Sequence, residues 1–273
     1  MDDFNHFYIT MIVTLFGCII GFKYYIWFFS IGYGLSITLI GIYLIIIFHK
    51  FLSIYSIISC SLFIIYGIRL ASYLAIREIK SSYNIKMKGE IKTNDSIPLI
   101  FRILIWIASS FLYAIMTCPI TFRLIINKRN QNSNKDYSLL YLITLIISSL
   151  GLLIETCADY QKDSAKKINP NRFVDTGLYK IVRCPNYFGE IVFWTGVFIS
   201  GFNIYNIYQF WIFSILGYIG IIYVMFSGAR RLEIRQNKTY GNDAEYQNYF
   251  NNTPMIFPCI PLYSVERFTW FVA

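Results

Sequence analysis

The sequence predicts an all-α fold, a polytopic membrane helical bundle of about seven transmembrane helices, and three observations predict it. Of 273 residues, 56% are hydrophobic and 19% aromatic, only 14% are charged, and the mean hydropathy is +0.50, well outside the ordinary soluble range. Several apolar runs are long enough to cross about 30 Å of hydrocarbon as helices. They are also continuous, without the alternation over about ten residues that a transmembrane barrel requires.

Seven runs qualify, at 5–22, 25–48, 53–75, 98–122, 137–157, 188–202 and 204–227. The first follows MDD, lacks a basic leader region and a small-residue cleavage pattern, and is read as a span. The fifth runs directly into Glu155 and Asp159, and the sixth is short. Glycines in or beside the spans, among them Gly34, Gly41, Gly67 and Gly217, suit close helix packing. Between the last two spans SGFN reads as a turn.

Composition also excludes function classes. The six cysteines have no C-x-x-C spacing, and only two histidines are present, so no disulfide framework and no metal site is expected. The net charge of +9 lies in short connections between apolar runs. Anionic headgroups and the positive-inside effect account for it there, and nucleic acid is not an expected partner. Lys and Arg outnumber acids five to three in 77–96, six to three in 158–187 and four to three in 228–252. Seven spans with the N-terminus outside put all three on the cytoplasmic side, whereas 123–136, with Arg123, Lys128, Arg129 and Lys135 against one acid, falls outside against the rule. Independently of orientation, two spans return the chain to the face it left, so 158–187 and 228–252 should meet. The expected division is 1–136, apolar, aromatic-rich and suited to a lipid substrate, and 137–273, with the polar segments.

Those segments carry the candidate chemistry. If the fifth helix continues past its apolar boundary, Glu155, Asp159 and Lys162 share a face. Asp159 could order a ribose or adenine group while Lys162, Lys166, Lys167 or Arg172 neutralises phosphate; an ordinary charged helix end reads the same way. In VDTGLYKIVRCPNY, Gly177 permits a turn and Pro185 restricts Cys184. Arg183 can clamp an anion, Asn186 can donate and accept, and Tyr187 offers an interfacial ring. Glu190 lies beside IVFWTG, where an ionised carboxylate needs a basic partner, a ligand or a proton. Arg230 and Arg231 follow the seventh span, as snorkelling cations or as a diphosphate clamp. Tyr246 flanks the last polar turn. The chain has neither a Gly-x-Gly-x-x-Gly nor a Walker A fingerprint.

The ordered series ETCADYQK, DTGLYKIVRCPNYFGEIVFWTG and, after Glu233, EYQNYFNNTPMIFP resembles the DUF1295 branch of the steroid 5-alpha-reductase C-terminal family. That family is related in its membrane fold to isoprenylcysteine carboxyl methyltransferases. The resemblance is strong over about 150–260. It implies NADPH-dependent reduction of an activated carbon-carbon double bond in a steroid or other lipid, in a helical bundle whose cofactor pocket opens to the cytosol. It further implies that Asp159 helps hold the cofactor, Asn186 lines its nicotinamide side, Glu190 is the carboxylate of N-x-x-G-E, and Arg230 or Arg231 lies near its phosphates. Lys162, Arg183, Tyr187 and Tyr246 match family positions too. No obligate protein partner is implied. The location implied is the endoplasmic reticulum in a eukaryote and the inner membrane in a bacterium.

One position departs. Related sequences read R-H-P-N-Y where this chain has Arg183, Cys184, Pro185, Asn186 and Tyr187. Cysteine cannot replace histidine as a proton-bearing cation near neutral pH. The change counts more against the alternative, an S-adenosylmethionine-dependent methyltransferase, than against a reductase. A non-catalytic scaffold with an Asp159, Arg183 and Glu190 ion network is the third reading. With 23 tyrosines present, the sequence assigns no catalytic electrophile.

Overall fold

A computed structural model describes residues 5–79, 97–131, 134–203 and 207–271. The MDD start, most of the 77–96 connection and the first residues of the expected seventh span lie outside the described residues. Among those described, the chain is helical without strands. The α-helices are α1 (Asn5–Cys18), α2 (Ile31–Phe48), α3 (Ile54–Ile79), α4 (Leu99–Met116), α5 (Cys118–Asn130), α6 (Leu139–Ile168), α7 (Pro185–Ile199), α8 (Tyr208–Tyr240) and α9 (Ala244–Asn252). Among the described residues six helical stretches are long and apolar enough to cross a membrane: Asn5–Phe22, Tyr25–Phe51, Ile54–Arg77, Leu99–Met116, Leu139–Ile168 and Tyr208–Tyr240. The expected sixth span is the 15-residue α7, which starts at Pro185, a residue suited to a first helical position because it has no N–H to leave unpaired. The SGFN turn closes with Gly201 N donating to Phe198 O and Phe202 N donating to Ile199 O.

The fourth span stops short of its expected end at 122. Helix α4 ends at Met116, and α5 starts anew with Pro119 in its first turn. Proline cannot donate to the carbonyl four residues back, which breaks the ladder at this point. All ten residues from Cys118 to Asn127 are buried, so α5 is an internal helix and not the tail of a span.

The chain divides into two units. In the first, 1–145 with 197–217, α2 packs against both α1 and α3, and α1 packs against α4. Glycines bring α2 and α3 into backbone contact: a Cβ on Gly67 would stand 2.3 Å from Gly34 O, and one on Gly34 would stand 2.6 Å from Gly67 O. Leu99, Phe101 and Leu104 on α4 stay exposed, as a lipid-facing stripe does.

The same unit holds a buried ionic network. Arg123 and Asp136 are both fully buried and pair at 2.7 Å. The other Asp136 oxygen accepts from Ser53 (2.8 Å), Ser56 (2.5 Å) and Asn127 (2.8 Å). Arg123 also donates to Asn203 Oδ1 at 2.7 Å and to Ser200 O, and lies 3.9 Å from the centre of the Tyr141 ring. Arg123 is therefore a structural cation, not a loop charge to be weighed in orientation.

In the second unit, 146–196 with 218–273, α6 and α7 cross at two glycines. A Cβ on Gly151 would lie 2.3 Å from Phe193 N, and one on Gly189 would lie 2.6 Å from Glu155 N and 2.8 Å from Gly151 O. Ser148 donates to Phe193 O at 3.1 Å across the same crossing. Helix α6 runs unbroken to Ile168, so Glu155, Asp159 and Lys162 do share one helical face.

Candidate functional site

The second unit gathers polar groups where α6 ends, α7 begins and α8 ends. The tight Gly151–Gly189 crossing sets the α7 backbone against Glu155 and so brings Glu190 beside α6. Along this end Glu155, Asp159, Arg183, Glu190 and Glu233 are all buried, a concentration of charge that folding tolerates only when the groups have partners.

Two local devices present α7. Gly177 has φ +61°, a left-handed conformation natural to glycine, and a Cβ there would stand 2.4 Å from Gln161 Oε1. The same oxygen accepts from Leu178 N at 2.8 Å, tying the turn to α6. Beyond it the extended segment after α9 runs alongside the start of α7: Arg183 N donates to Pro254 O at 2.9 Å, and Cys184 N donates to Met255 O at 2.8 Å. Tyr249 Oη donates to Tyr179 O at 2.7 Å. At the surface Arg172 pairs with Asp175 at 3.0 Å and Glu245 at 2.5 Å. The polar segments 158–187 and 228–252 thus meet.

Arg183 is the central cation. Its side chain is 1% exposed and that of Glu233 is 0% exposed, so their ionic contact at 3.7 Å has no solvent to screen it. Arg183 also donates to Tyr263 O and packs 4.3 Å from the Phe250 ring centre. Glu233 Oε2 accepts from Val265 N at 2.9 Å. Several buried atoms keep unused hydrogen-bonding capacity: Arg183 Nε and Nη1, Asn186 Oδ1, Ser227 Oγ and Glu233 Oε1 have no hydrogen-bond partner among the described residues. Unsatisfied polar groups are costly in a folded interior unless water or a ligand completes them, and Glu233 Oε1 is also the atom that faces Arg183 at 3.7 Å.

The other expected site residues fall as follows. Asp159 and Glu190 are buried, and Lys162 is half-buried. Lys162 and Arg183 both act electrostatically on Cys184. Tyr187 is half-buried and lies over Gly228, whose Cβ would come 3.1 Å from its hydroxyl. Tyr246 is buried and donates to Asn237 Oδ1 at 2.8 Å; burial raises its hydroxyl to about 12. Arg230 donates to Glu266 O (3.0 Å) and Phe271 O (3.1 Å), and Arg231 is exposed. The arginine that meets the PNYFGE stretch is therefore its neighbour Arg183, and the α8 side chain that answers it is Glu233. Sequence reasoning missed Glu233 as a partner, as well as Ser227. The available signal was an acid three residues after Arg230 in a helix leaving the membrane, a position that needs a counter-charge.

Cys184 is wholly buried, and burial raises its thiol from 9.0 to about 12, Arg183 and Lys162 offsetting part of the effect. The sign follows: the neutral thiol contributes stability below its ordinary value, and that contribution is lost as pH rises toward about 12. A polar maleimide applied at pH 8 is expected to label exposed Cys259 in the folded protein and to reach Cys184 only after unfolding. Stoichiometric labelling of Cys184 in the native state would contradict this burial.

Helices of this length and hydropathy, two of which end at the polar cluster where the shorter α7 begins, define a polytopic integral membrane protein. A family model described as protein of unknown function, DUF1295, matches residues 23–253, and the chain belongs to that family. No curated protein and no solved structure matches it.

Proposed function

We propose that the protein is a membrane-embedded, NADPH-dependent reductase of an activated carbon-carbon double bond in a steroid-like or other lipid. The observation that carries this reading is the set of buried atoms with unused hydrogen-bonding capacity on Arg183, Asn186, Ser227 and Glu233. Their chemistry fits the cofactor. Asn186 Oδ1 would accept from a carboxamide N–H, Glu233 Oε1 from a ribose hydroxyl, and Arg183 would donate to phosphate or carbonyl oxygen. Asp159 and Lys162, one and two turns along α6 from Glu155, would hold the nucleotide's polar groups, with Arg231 free at the surface for phosphate.

When bound, NADPH would supply the hydride. The chain's part is to orient and to exclude water. The α6–α7 crossing fixes Asn186 and Glu190 on one rigid helix, the Tyr187 ring covers Gly228, and the segment 254–265 covers Arg183 and Glu233. A dry, charged site strengthens every electrostatic contact made inside it. The positive-inside pattern supports a cytosolic opening.

One observation favours the methyltransferase reading instead. Among the described residues of the second unit four carboxylates, Glu155, Asp159, Glu190 and Glu233, are buried with one arginine, Arg183, a balance that would suit the ammonium and sulfonium of S-adenosylmethionine. Thermal unfolding of detergent-purified protein separates the two. NADPH at about 100 times Kd is expected to stabilise by about 2.7 kcal/mol, and Asn186→Ala and Asp159→Ala to lose most of that gain. Stabilisation by S-adenosylmethionine with none from NADPH would overturn the reductase assignment.

A further inference from the structure

The residues after α9 do more than cover Arg183 and Glu233. Beyond Val265 the tail turns back along α8 toward the membrane. Asn237 Nδ2 donates to Glu266 Oε2 at 2.8 Å, Arg230 donates to the carbonyls of Glu266 and Phe271, and Tyr223 Oη donates to Trp270 O at 3.0 Å. The α8 partners thus descend from residue 237 to residue 223. The Phe271 ring stacks 5.2 Å from Phe226 and lies 5.6 Å from Tyr223.

Tyr223 fixes the depth of this contact. From Tyr208 to Ala229, α8 carries no charge, and Tyr223 stands seven residues, or about 10 Å, on the membrane side of Arg230. Tyr223 continues the exposed stripe of Ile212, Leu216 and Ile219, which is lipid-facing in a transmembrane helix. Trp270 is 64% exposed at that level, and Ile260 is 52% exposed on the same tail. An indole against water would be unfavourable, whereas at the headgroup level its apolar body and N–H both find partners. The exposed Arg267 and Arg231 add the positive charge that an anionic headgroup layer attracts.

We infer that residues 260–271 are an interfacial membrane anchor, with Trp270 seated at the headgroup-acyl boundary beside Tyr223. The partner is the lipid surface of the membrane the protein spans. Anchored at Trp270 and tied at Val265 and Tyr263, the tail is held over the Arg183–Glu233 pair from both ends.

The test uses the full chain in phosphatidylcholine nanodiscs, with and without lipids brominated near the headgroup end of the acyl chains. The difference in tryptophan fluorescence between native protein and Trp270→Phe isolates Trp270 from the other four tryptophans. That component is expected to be quenched in brominated lipid, because an interfacial indole sits at the headgroup level. In the same nanodiscs, Trp270→Asp is expected to speed tryptic cleavage after Arg267 several-fold. A Trp270 component that bromination leaves unchanged, or equal cleavage rates, would overturn the anchor. Neither readout involves a cofactor, so the outcome is independent of the reductase reading.

Discussion

Replacing Asp136 with alanine is expected to destabilise the protein by about 3–5 kcal/mol, the usual cost of stranding one member of a buried ion pair. Asp136 satisfies Arg123, Ser53, Ser56 and Asn127 at once. Without it, the Arg123 guanidinium stays buried with a side-chain amide, a carbonyl and the Tyr141 face as its company. Thermal unfolding in detergent would read the loss directly. The paired change Arg123→Met with Asp136→Leu removes both charges together and is expected to cost clearly less than the sum of the single changes. Strict additivity would mean that the two residues do not act as a pair.

Gly189→Leu is expected to abolish folding of the polar end of the bundle, and Gly189→Ala to cost at least the usual 1–3 kcal/mol of overpacking. A Cβ at 189 meets backbone atoms of Glu155 and Gly151 at 2.6 and 2.8 Å, and neither can yield unless α6 and α7 part. Gly228→Ala is the internal comparison, because its nearest neighbour is the Tyr187 hydroxyl at 3.1 Å, the far end of a side chain. Gly189→Ala should therefore lower the Tm of the ligand-free protein by clearly more than Gly228→Ala. Equal effects would show that the crossing is not the constraint it is taken to be. The same crossing holds the backbone next to Glu190 against α6, so the glycine of the Gly-Glu pair serves geometry.

The spans were legible because a 20-residue apolar run has few alternatives in a membrane. The break at Thr117–Pro119 was not, since apolar residues continue through it and hydropathy alone passes over a proline. The Arg123–Asp136 network was also hidden. Its members come from positions 53, 56, 123, 127 and 136, and local charge counting sees only a basic connection. In the second unit the shared face of Glu155, Asp159 and Lys162 followed from spacing once α6 continued past its apolar boundary, which the sequence left open, and the turn at Gly177 followed from glycine chemistry. The choice among arginines did not follow. Arg183, Arg230 and Arg231 are equivalent as letters, and what separates them is the tail, whose carbonyls draw Arg230 away and whose Val265 amide fixes Glu233. A segment too short to read as a span decides which cation is buried.

The pairing of Arg183 and Cys184 with Pro254 and Met255 also sets a schedule for biosynthesis. Cys184 and Met255 are separated by 71 positions in the chain, so at about 5–20 residues per second their second strand of contacts arrives about 4–14 s after the first. Throughout that interval α7 and then α8 can be in the bilayer while Arg183 lacks its cover. Arg183 therefore gains its cover only after α7 and α8 have both been made.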